Sequence, residues 1–274
     1  MRRAPELGLG TDPVIVASAR LAEAGCESPR LDAELLLAEV LGTTRTALYL
    51  TPPRALEPTA RARFEELIAR RAEREPVAYI LGRKPFRRLE VPVDRRVLIP
   101  RPETELLVEV GLELPARARV ADVGTGSGAV ALALADERPD LAVTGIDASA
   151  DALVLARDNA RRLGLEVSFL RGDLLVGGHY DAVLANLPYV RDDEDLPPEV
   201  GRYEPAEALY GGPDGLEVIG RLVSMAAQTV PILALEVGAG QATAVALALR
   251  DAGFDDVERR RDLAGHERVV VGRR

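Results

Sequence analysis

The fold of this chain is decided by the stretch Val120-Ala121-Asp122-Val123-Gly124-Thr125-Gly126-Ser127-Gly128. Its apolar start predicts a buried strand over residues 120–123, and residues 129–136, directly after the glycines, predict a helix. Gly124 permits a tight turn, while Gly126 and Gly128 let backbone N–H groups approach a ligand at the start of the helix. The stretch therefore predicts the first strand–turn–helix unit of an α/β sheet that binds a nucleotide-like cofactor.

Strand and helix patterns alternate from this unit to the end of the chain. Strands are predicted at 141–146, 167–170, 181–185, 232–237, 257–261 and 268–271, and helices at 149–163, 215–228 and 241–252. This alternation is typical of a doubly wound sheet with helices on both faces. The last two strands are so close in sequence that they should form a hairpin, which places an antiparallel strand in the sheet.

The residues before this sheet predict two further parts. Residues 1–75 contain helix signals with apolar stripes and should form a small helical bundle. Residues 76–98 alternate in polarity and predict a β-hairpin that joins the bundle to the domain of residues 99–274.

Composition narrows the class of protein. The net charge of −9 disfavours non-specific nucleic-acid binding, which depends on Lys and Arg neutralising phosphates. The single cysteine, Cys26, excludes an intramolecular disulfide and a cysteine-based zinc site, and no spacing of His, Asp and Glu predicts another metal site. No apolar stretch approaches the roughly 20 residues that span a bilayer, and no signal-peptide pattern is present. A cytoplasmic protein is expected.

Two acidic residues follow the next two strands. Asp147 can accept hydrogen bonds from both ribose hydroxyls, a role that serves NAD and S-adenosylmethionine equally. Asp173 can accept the exocyclic amine of an adenine while Leu174 packs on the ring, although a solvated loop aspartate explains Asp173 about as well. The glycine turn alone also fits the dinucleotide pattern G-x-G-x-x-A.

The tetrapeptide Asn186-Leu187-Pro188-Tyr189 follows the buried strand at 181–185 and indicates a site for a planar nitrogen. The side-chain oxygen of Asn186 and the backbone carbonyl of Leu187 can accept the two N–H groups of an amide or amino group. Pro188 would stiffen the loop, and Tyr189 can stack on the planar target. Beside a nucleotide-like cofactor, this pattern favours methyl transfer from S-adenosylmethionine to nitrogen.

The chain resembles the HemK-type protein-(glutamine-N5) methyltransferases, which modify peptide-chain release factors. The resemblance covers nearly the whole length and is carried by residues 75–82, 97–105, 122–128, 204–209, 211–216 and 235–238. The segment Ile99-Pro100-Arg101-Pro102-Glu103-Thr104-Glu105 is much more specific than any glycine turn.

The resemblance implies a Rossmann-like class I S-adenosylmethionine-dependent methyltransferase, with a seven-stranded sheet whose last strand is antiparallel. The implied substrate is the glutamine of the Gly-Gly-Gln motif in release factors, the N-terminal bundle would help dock that factor, and a monomer is expected. The family's catalytic and substrate positions map onto Asn186, Leu187, Pro188 and Tyr189. Its cofactor positions map onto Gly124, Thr125, Gly126, Ser127, Gly128, Asp147, Asp173, Leu174 and Asn186.

One departure from the family concerns Leu187, which stands where the usual Asn-Pro-Pro-Tyr has its first proline. Because the role at that position belongs to a backbone carbonyl, leucine can supply it. Asn-Leu-Pro-Tyr is also typical of enzymes that dimethylate adenine in ribosomal RNA, but those enzymes lack the segments at 75–82 and 99–105. A methyltransferase acting on an amino group of adenine or cytosine in nucleic acid is thus the alternative enzyme, and a nucleotide-binding module without chemistry is a third hypothesis.

Several charged residues are left with two interpretations. Arg101, Glu103 and Glu105 either border the active site or only begin a helix. Glu236 ends a strand on the ligand side, yet could equally cap the next helix. His179 and His266 are expected in solvated loops.

Overall fold

In a computed structural model, which describes residues 12–51 and 55–274, the chain divides into two units. The first runs up to Gly82 and also includes Pro197–Tyr203, and the second comprises Arg83–Leu196 and Glu204–Arg274. Residues 1–11 and 52–54 of the predicted helical bundle lie outside the described residues.

The helices are α1 (Pro13–Glu23), α2 (Pro29–Val40), α3 (Arg45–Leu50), α4 (Pro58–Ala72), α5 (Val77–Leu81), α6 (Glu105–Leu112), α7 (Ala129–Glu137), α8 (Ala150–Leu163), α9 (Pro198–Gly201), α10 (Glu217–Ala226) and α11 (Ala242–Asp251). The strands are β1 (Arg83–Phe86), β2 (Leu89–Pro92), β3 (Arg119–Val123), β4 (Ala142–Asp147), β5 (Ser168–Arg171), β6 (Ala182–Ala185), β7 (Ile232–Glu236), β8 (Asp256–Arg261) and β9 (Glu267–Arg273). Short 3-10 turns occupy Pro102–Thr104 and Ala206–Ala208.

The first unit is a helical bundle around a shared apolar core. Leu21 of α1, Leu36 and Leu37 of α2 and Phe64 of α4 are completely buried in it. α1 begins at Pro13, where Oδ1 of the N-cap residue Asp12 accepts a hydrogen bond from the backbone N–H of Val14 at 2.9 Å.

The segment between the bundle and the sheet differs from its prediction. Residues 77–81 form helix α5 rather than a strand, and residues 96–99 lie outside any strand, so only β1 and β2 form the hairpin. Pro76 precedes the first helical residue and Gly82 ends the helix with a φ of 71°. Tyr79 and Ile80 are both buried, and two adjacent residues cannot both face inward from a half-buried strand.

The second unit contains a seven-stranded sheet in the order β5-β4-β3-β6-β7-β9-β8. The pairs from β5 to β7 are parallel, whereas β9 runs antiparallel to both β7 and β8. This order confirms the predicted Rossmann-like sheet with an antiparallel last strand. It also places the reversal of strand order beside β3 and β6, where open α/β sheets bind ligands at the carboxyl ends of the strands.

The central strand β6 shows how the sheet is covered on both faces. All four residues of β6 are buried. Val183 and Ala185 pack into the cluster that includes α10 and α11, whereas Ala182 and Leu184 pack into the cluster that includes α6 and α7. Because side chains alternate across a strand, a strand buried on both faces must be apolar throughout. This burial holds the end of β6, and thus Asn186, at a defined place.

Candidate active site

The glycine turn after β3 touches the loop after β6. Gly124 has a φ of 74°, which favours glycine, and the backbone N–H groups of Gly124 and Thr125 both donate to the carbonyl oxygen of Ile146, at 2.8 and 3.0 Å. A Cβ atom at Gly124 would lie 3.0 Å from the carbonyl oxygen of Asn186. The turn therefore brings the two segments singled out from the sequence into direct contact.

Asp122 is a residue of this turn that the sequence did not assign to the site. Its side chain is buried, and Oδ2 accepts hydrogen bonds from Oγ1 of Thr125 at 2.5 Å and from the backbone N–H of Ala131 at 3.2 Å. Burial raises the pKa of Asp122 to about 6, although both hydrogen bonds oppose that rise. Asp122 fixes the turn on the start of α7, and a carboxylate two residues before the first glycine is the signal that could have predicted this.

Asp147 stands at the end of β4 and completes the turn from the other side. Its Oδ2 accepts from the backbone N–H of Gly126 and its Oδ1 accepts from that of Ser149, both at 2.9 Å. Burial raises its pKa. Each carboxylate oxygen can accept a second hydrogen bond, so the side chain retains capacity for two ligand hydroxyls.

Asp173 and Leu174 follow β5 and differ in their surroundings. Leu174 is buried in the core with a φ of 66°. Asp173 is exposed and pairs through Oδ2 with Nη2 of Arg221 on α10, at 2.5 Å. Arg221 was not predicted as a site residue, and it offers Asp173 a partner that would compete with an adenine amine.

These strand ends enclose a cavity of about 280 Å³. Most of the predicted cofactor residues line it, namely Gly124, Thr125, Gly126, Ser127, Asp147, Asp173, Leu174 and Asn186, together with Leu187 and Pro188. Gly128 and Tyr189 are not among its lining residues. The lining also includes residues that the sequence did not assign, such as Arg96, Thr104, Glu207, Tyr210 and Arg221. Burial and, to a smaller extent, Glu207 raise the pKa of Asp147, and both carboxylates line the cavity.

The Asn186 side chain has a defined orientation. Its Nδ2 donates a hydrogen bond to Oγ1 of the buried Thr104 at 3.1 Å. Across residues 12–51 and 55–274, no group donates to Oδ1 of Asn186 or to the carbonyl oxygen of Leu187. Two acceptors on adjacent residues thus remain for a ligand with two N–H groups.

Two glycines hold the backbone of this loop closely. A Cβ atom at Gly211 would lie 2.4 Å from the carbonyl oxygen of Pro188, and one at Gly215 would lie 2.2 Å from that of Tyr189. The same Tyr189 carbonyl accepts from Nε2 of Gln241 at 2.9 Å. The segment Gly211–Leu216, predicted only by resemblance, therefore serves as the support on which Pro188 and Tyr189 rest.

The charged residues of the turn at 100–105 divide between two roles. Nη2 of Arg101 pairs with Oε1 of the buried Glu204 at 2.5 Å, while Oε2 of Glu204 accepts from the backbone N–H of Ile99 at 2.9 Å. Thr104, which lies in the same turn, accepts the hydrogen bond from Nδ2 of Asn186. Glu105 instead accepts from the backbone N–H of Arg87 at 3.0 Å and so holds the hairpin.

The remaining expectations concern residues away from the cavity. His179 and His266 are exposed. Within the described parts of the chain, no group of His, Cys, Asp and Glu could hold a metal ion, and no helix is long and apolar enough to cross a membrane.

Two family models match the chain. The PrmC N-terminal domain matches residues 14–82, and the methyltransferase small domain matches residues 102–202.

Relatives match over nearly the whole chain. A release factor glutamine methyltransferase from Deinococcus radiodurans is 44% identical over 273 residues, which cover 96% of this chain and 98% of that protein. One from Rhodospirillum rubrum is 41% identical over 266 residues, which cover 93% of this chain and 82% of that protein.

Solved structures agree on the fold. The hMettl16 catalytic domain in complex with MAT2A 3'UTR hairpin 6 matches with a TM-score of 0.58 at 17% identity, covering 76% of this chain and 82% of that chain. At this identity, the likeness shows a methyltransferase fold and nothing about the substrate.

Proposed function

The chain belongs to the family of release factor glutamine methyltransferases, and on that premise we propose its reaction. It transfers a methyl group from S-adenosylmethionine to the side-chain amide nitrogen (N5) of the glutamine in the Gly-Gly-Gln motif of peptide-chain release factors. The observation that carries the proposal is the pair of acceptors, Asn186 Oδ1 and the Leu187 carbonyl, beside the cavity of the glycine turn.

The residues of the cavity fit S-adenosylmethionine. The glycine turn would hold the amino-acid part of the cofactor, Asp147 its ribose hydroxyls, and Leu174 one face of its adenine, with Asp173 at the ring's edge. The cofactor carries positive charge, which suits a cavity lined by Asp147, Asp173 and Glu207. Bound there, it supplies an electrophilic methyl group on a sulfonium sulfur.

The protein's part in the reaction is to orient a weak nucleophile. An amide nitrogen has its lone pair delocalised into the carbonyl, so it must be held with that lone pair directed at the methyl carbon. Asn186 Oδ1 and the Leu187 carbonyl would accept its two N–H groups and favour the positive charge that develops on nitrogen. Pro188 would restrict the loop and Tyr189 would stack on the amide. Burial raises the pKa of Tyr189 to about 12, so its phenol remains neutral.

Leucine at position 187 fits this role. Its side chain is only 4% exposed and packs in the apolar core, where Cδ2 would lie 3.2 Å from a Cβ atom at Gly124. Packing of the Leu187 side chain thus restricts the loop. In the usual Asn-Pro-Pro-Tyr, the proline ring would restrict it.

Three further expectations belong to the same proposal. The helical unit that begins at the N-terminus would help dock the release factor, the protein would act as a monomer, and it would work in the cytoplasm, where release factors act. Sedimentation velocity of the protein alone would test the monomer, and the same measurement with release factor would show whether a complex forms.

The test is a labelling experiment on the full chain. Purified protein is incubated with methyl-labelled S-adenosylmethionine and a bacterial release factor, and the labelled peptide is mapped by mass spectrometry. We expect one methyl group on the glutamine of Gly-Gly-Gln and no label on a release factor whose glutamine is replaced. Labelling of RNA or DNA without labelling of release factor would instead support the nucleic-acid alternative. Cofactor binding without any labelling would support a binding module.

A further inference from the structure

Glu236 is a buried carboxyl group beside the active-site loop to which the proposed reaction assigns no task. It ends β7, and β7 pairs with β6 so that Leu235 is opposite Ala185. Asn186, which directly follows β6, and Glu236, the last residue of β7, therefore lie at neighbouring strand ends. Glu236 is 2% exposed, and its Oε2 has no hydrogen-bonding partner in the part of the chain that the structure describes.

The charged neighbours of Glu236 do not form a simple ion pair with it. Arg101 and Glu103 face it from the turn before α6, and Arg268 faces it from β9. Both arginines have carboxylates of their own, because Arg101 pairs with Glu204 at 2.5 Å and Arg268 pairs with Asp262 at 3.0 Å. Tyr189 faces it from the active-site loop as a neutral phenol. Burial accordingly prevails and raises the pKa of Glu236 to about 7.

The hydroxyl of Thr104 connects Glu236 to Asn186. The Thr104 side chain lies beside Glu236 and lowers the pKa of that carboxyl against the larger effect of burial, and Thr104 Oγ1 accepts a hydrogen bond from Nδ2 of Asn186 at 3.1 Å. A hydroxyl has one proton to donate. When that proton goes to the carboxylate, the oxygen presents its lone pairs to Asn186, and the Asn186 amide keeps its nitrogen towards Thr104.

A purely structural role explains this arrangement poorly. A buried carboxylate with one unpaired oxygen is unfavourable for folding, and an uncharged group of similar shape is often neutral or stabilising at such a place. Glu236 is also not the cap of α11, because Gln241 is the N-cap residue of that helix and no side chain of the described residues caps it.

We propose that Glu236 is a positioning residue for methyl transfer, whose carboxylate accepts the Thr104 hydroxyl and thereby holds Asn186 with Oδ1 towards the target amide. The inference rests on the proposed function and deepens it. A protonated Glu236 donates to Oγ1 of Thr104, which frees the Thr104 proton to be donated to Asn186 and favours Oδ1 turned towards Thr104, so the ionised form is the one that supports transfer.

The first test replaces the carboxylate with an amide of the same shape. Glu236→Gln can donate to Thr104 and should turn the Asn186 amide, so kcat for methylation of release factor should fall about 10- to 100-fold. KM for S-adenosylmethionine should stay within twofold, because Glu236 does not line the cofactor cavity. The melting temperature should be equal or higher. In wild type, kcat should fall as pH drops below about 7, and this fall should be absent in Glu236→Gln.

Thr104 provides a second test that does not alter Glu236. Thr104→Val removes the hydroxyl and should reproduce the loss, whereas Thr104→Ser keeps it and should restore most of kcat. The double variant Thr104→Val/Glu236→Gln should be no slower than either single variant, since both act through Asn186.

Glu137→Gln is the matched control. The Glu137 side chain is 5% exposed and pairs with Arg87 at 2.8 Å, far along α7 from the turn. This substitution should lower the melting temperature and leave kcat and its pH profile unchanged.

Distinct outcomes separate this inference from the proposed function. If wild type methylates release factor and Glu236→Gln keeps kcat within twofold with the wild-type pH profile, the positioning role is refuted. Losses in the two single variants that multiply in the double variant would refute it as well. If wild type itself does not label release factor, the proposed function fails first.

Discussion

The two loops that meet at the centre of the sheet are held in different ways. The glycine turn after β3 is held from within the first two strand–helix units of the sheet. Asp122 accepts hydrogen bonds from Thr125 and Ala131, which are three and nine residues away, and Ile146 and Asp147 at the end of β4 accept from the backbone of the glycine turn. The loop after β6 is held by distant partners, since Thr104 is 82 residues from Asn186 and Gln241 is 52 residues from Tyr189. The glycine turn is thus built from two consecutive strand–helix units, whereas the nitrogen-binding loop is assembled from segments much farther apart in the chain. Substitutions in the two loops should therefore separate cofactor binding from methyl transfer.

The largest separation is expected from Asn186→Ala. Loss of Oδ1 removes one of the two acceptors for the target amide, and kcat should fall about 100- to 1,000-fold. Because the glycine turn is held by its own contacts, the Kd for S-adenosylmethionine should change by less than about tenfold. Single-turnover methylation and calorimetric titration would measure the two effects. Full methyl transfer by this variant would show that the acceptor is misassigned.

Gly215→Ala should displace the nitrogen-binding loop at its contact with the supporting segment Gly211–Leu216. The new Cβ atom would lie 2.2 Å from the Tyr189 carbonyl, and the φ of 72° is unfavourable for alanine. We expect kcat to fall about 10- to 100-fold through displacement of the loop. The control is Gly220→Ala within α10, where a Cβ atom meets nothing within 4 Å. That variant should keep its activity and gain about 0.5–1 kcal/mol in unfolding free energy. Equal activity in the two variants would contradict the support role of Gly215.

Asp147→Asn probes the cofactor end instead. An amide accepts less strongly than a carboxylate and can present its NH₂ group to the N–H of Gly126, so the Kd for S-adenosylmethionine should rise about tenfold, or about 1.4 kcal/mol. At saturating cofactor, kcat should stay near that of wild type. A loss of kcat with unchanged Kd would show that Asp147 acts in methyl transfer and not in cofactor binding.

Asp122→Asn should reveal the cost of ionising a buried carboxyl in the glycine turn. The pKa of Asp122 is raised from 3.8 to about 6 in the folded protein, so the folded state binds the proton more tightly than the unfolded state. This group's contribution to stability is therefore greatest below about pH 4 and decreases as pH rises towards 6. The unfolding free energy of the variant relative to wild type should increase by about 1–3 kcal/mol between pH 4 and pH 7. Denaturant titrations at both pH values would measure it, and a difference independent of pH would contradict it.

The smallest effect on catalysis is expected from Leu187→Pro, which restores the usual Asn-Pro-Pro-Tyr. The backbone carbonyl is retained, so kcat should change by no more than about threefold. Loss of a buried leucine side chain should lower the unfolding free energy by about 2 kcal/mol. A large gain in kcat would show that packing of Leu187 does not restrict the loop as well as proline does.

Periodic and local patterns were interpreted correctly for most of the fold. The strands of the sheet and the helices between them follow from apolar periodicity, and the glycine turn follows from its own residues. The helix at 77–81 was not predicted, because its five residues are too few to show a helical period. In the site, Asp147 and Leu174, which the sequence predicts to bind the cofactor, both line the cavity. The ion pair of Asp173 with Arg221 could not be predicted, since nothing near Asp173 in sequence indicates that α10 will reach it.

By itself, the sequence determined the doubly wound sheet, the turn for the cofactor and the tetrapeptide Asn186–Tyr189, because each of these is a short or periodic pattern within one element or its end. Only the tertiary structure decided how Asn186 is oriented and what supports its loop. Thr104, the segment Gly211–Leu216 and Glu236 are far apart in sequence, and the tertiary fold brings them beside Asn186–Tyr189 at the carboxyl edge of the parallel strands. Hydrogen-bond direction and atomic contact at that edge depend on distances between elements, which no local pattern encodes.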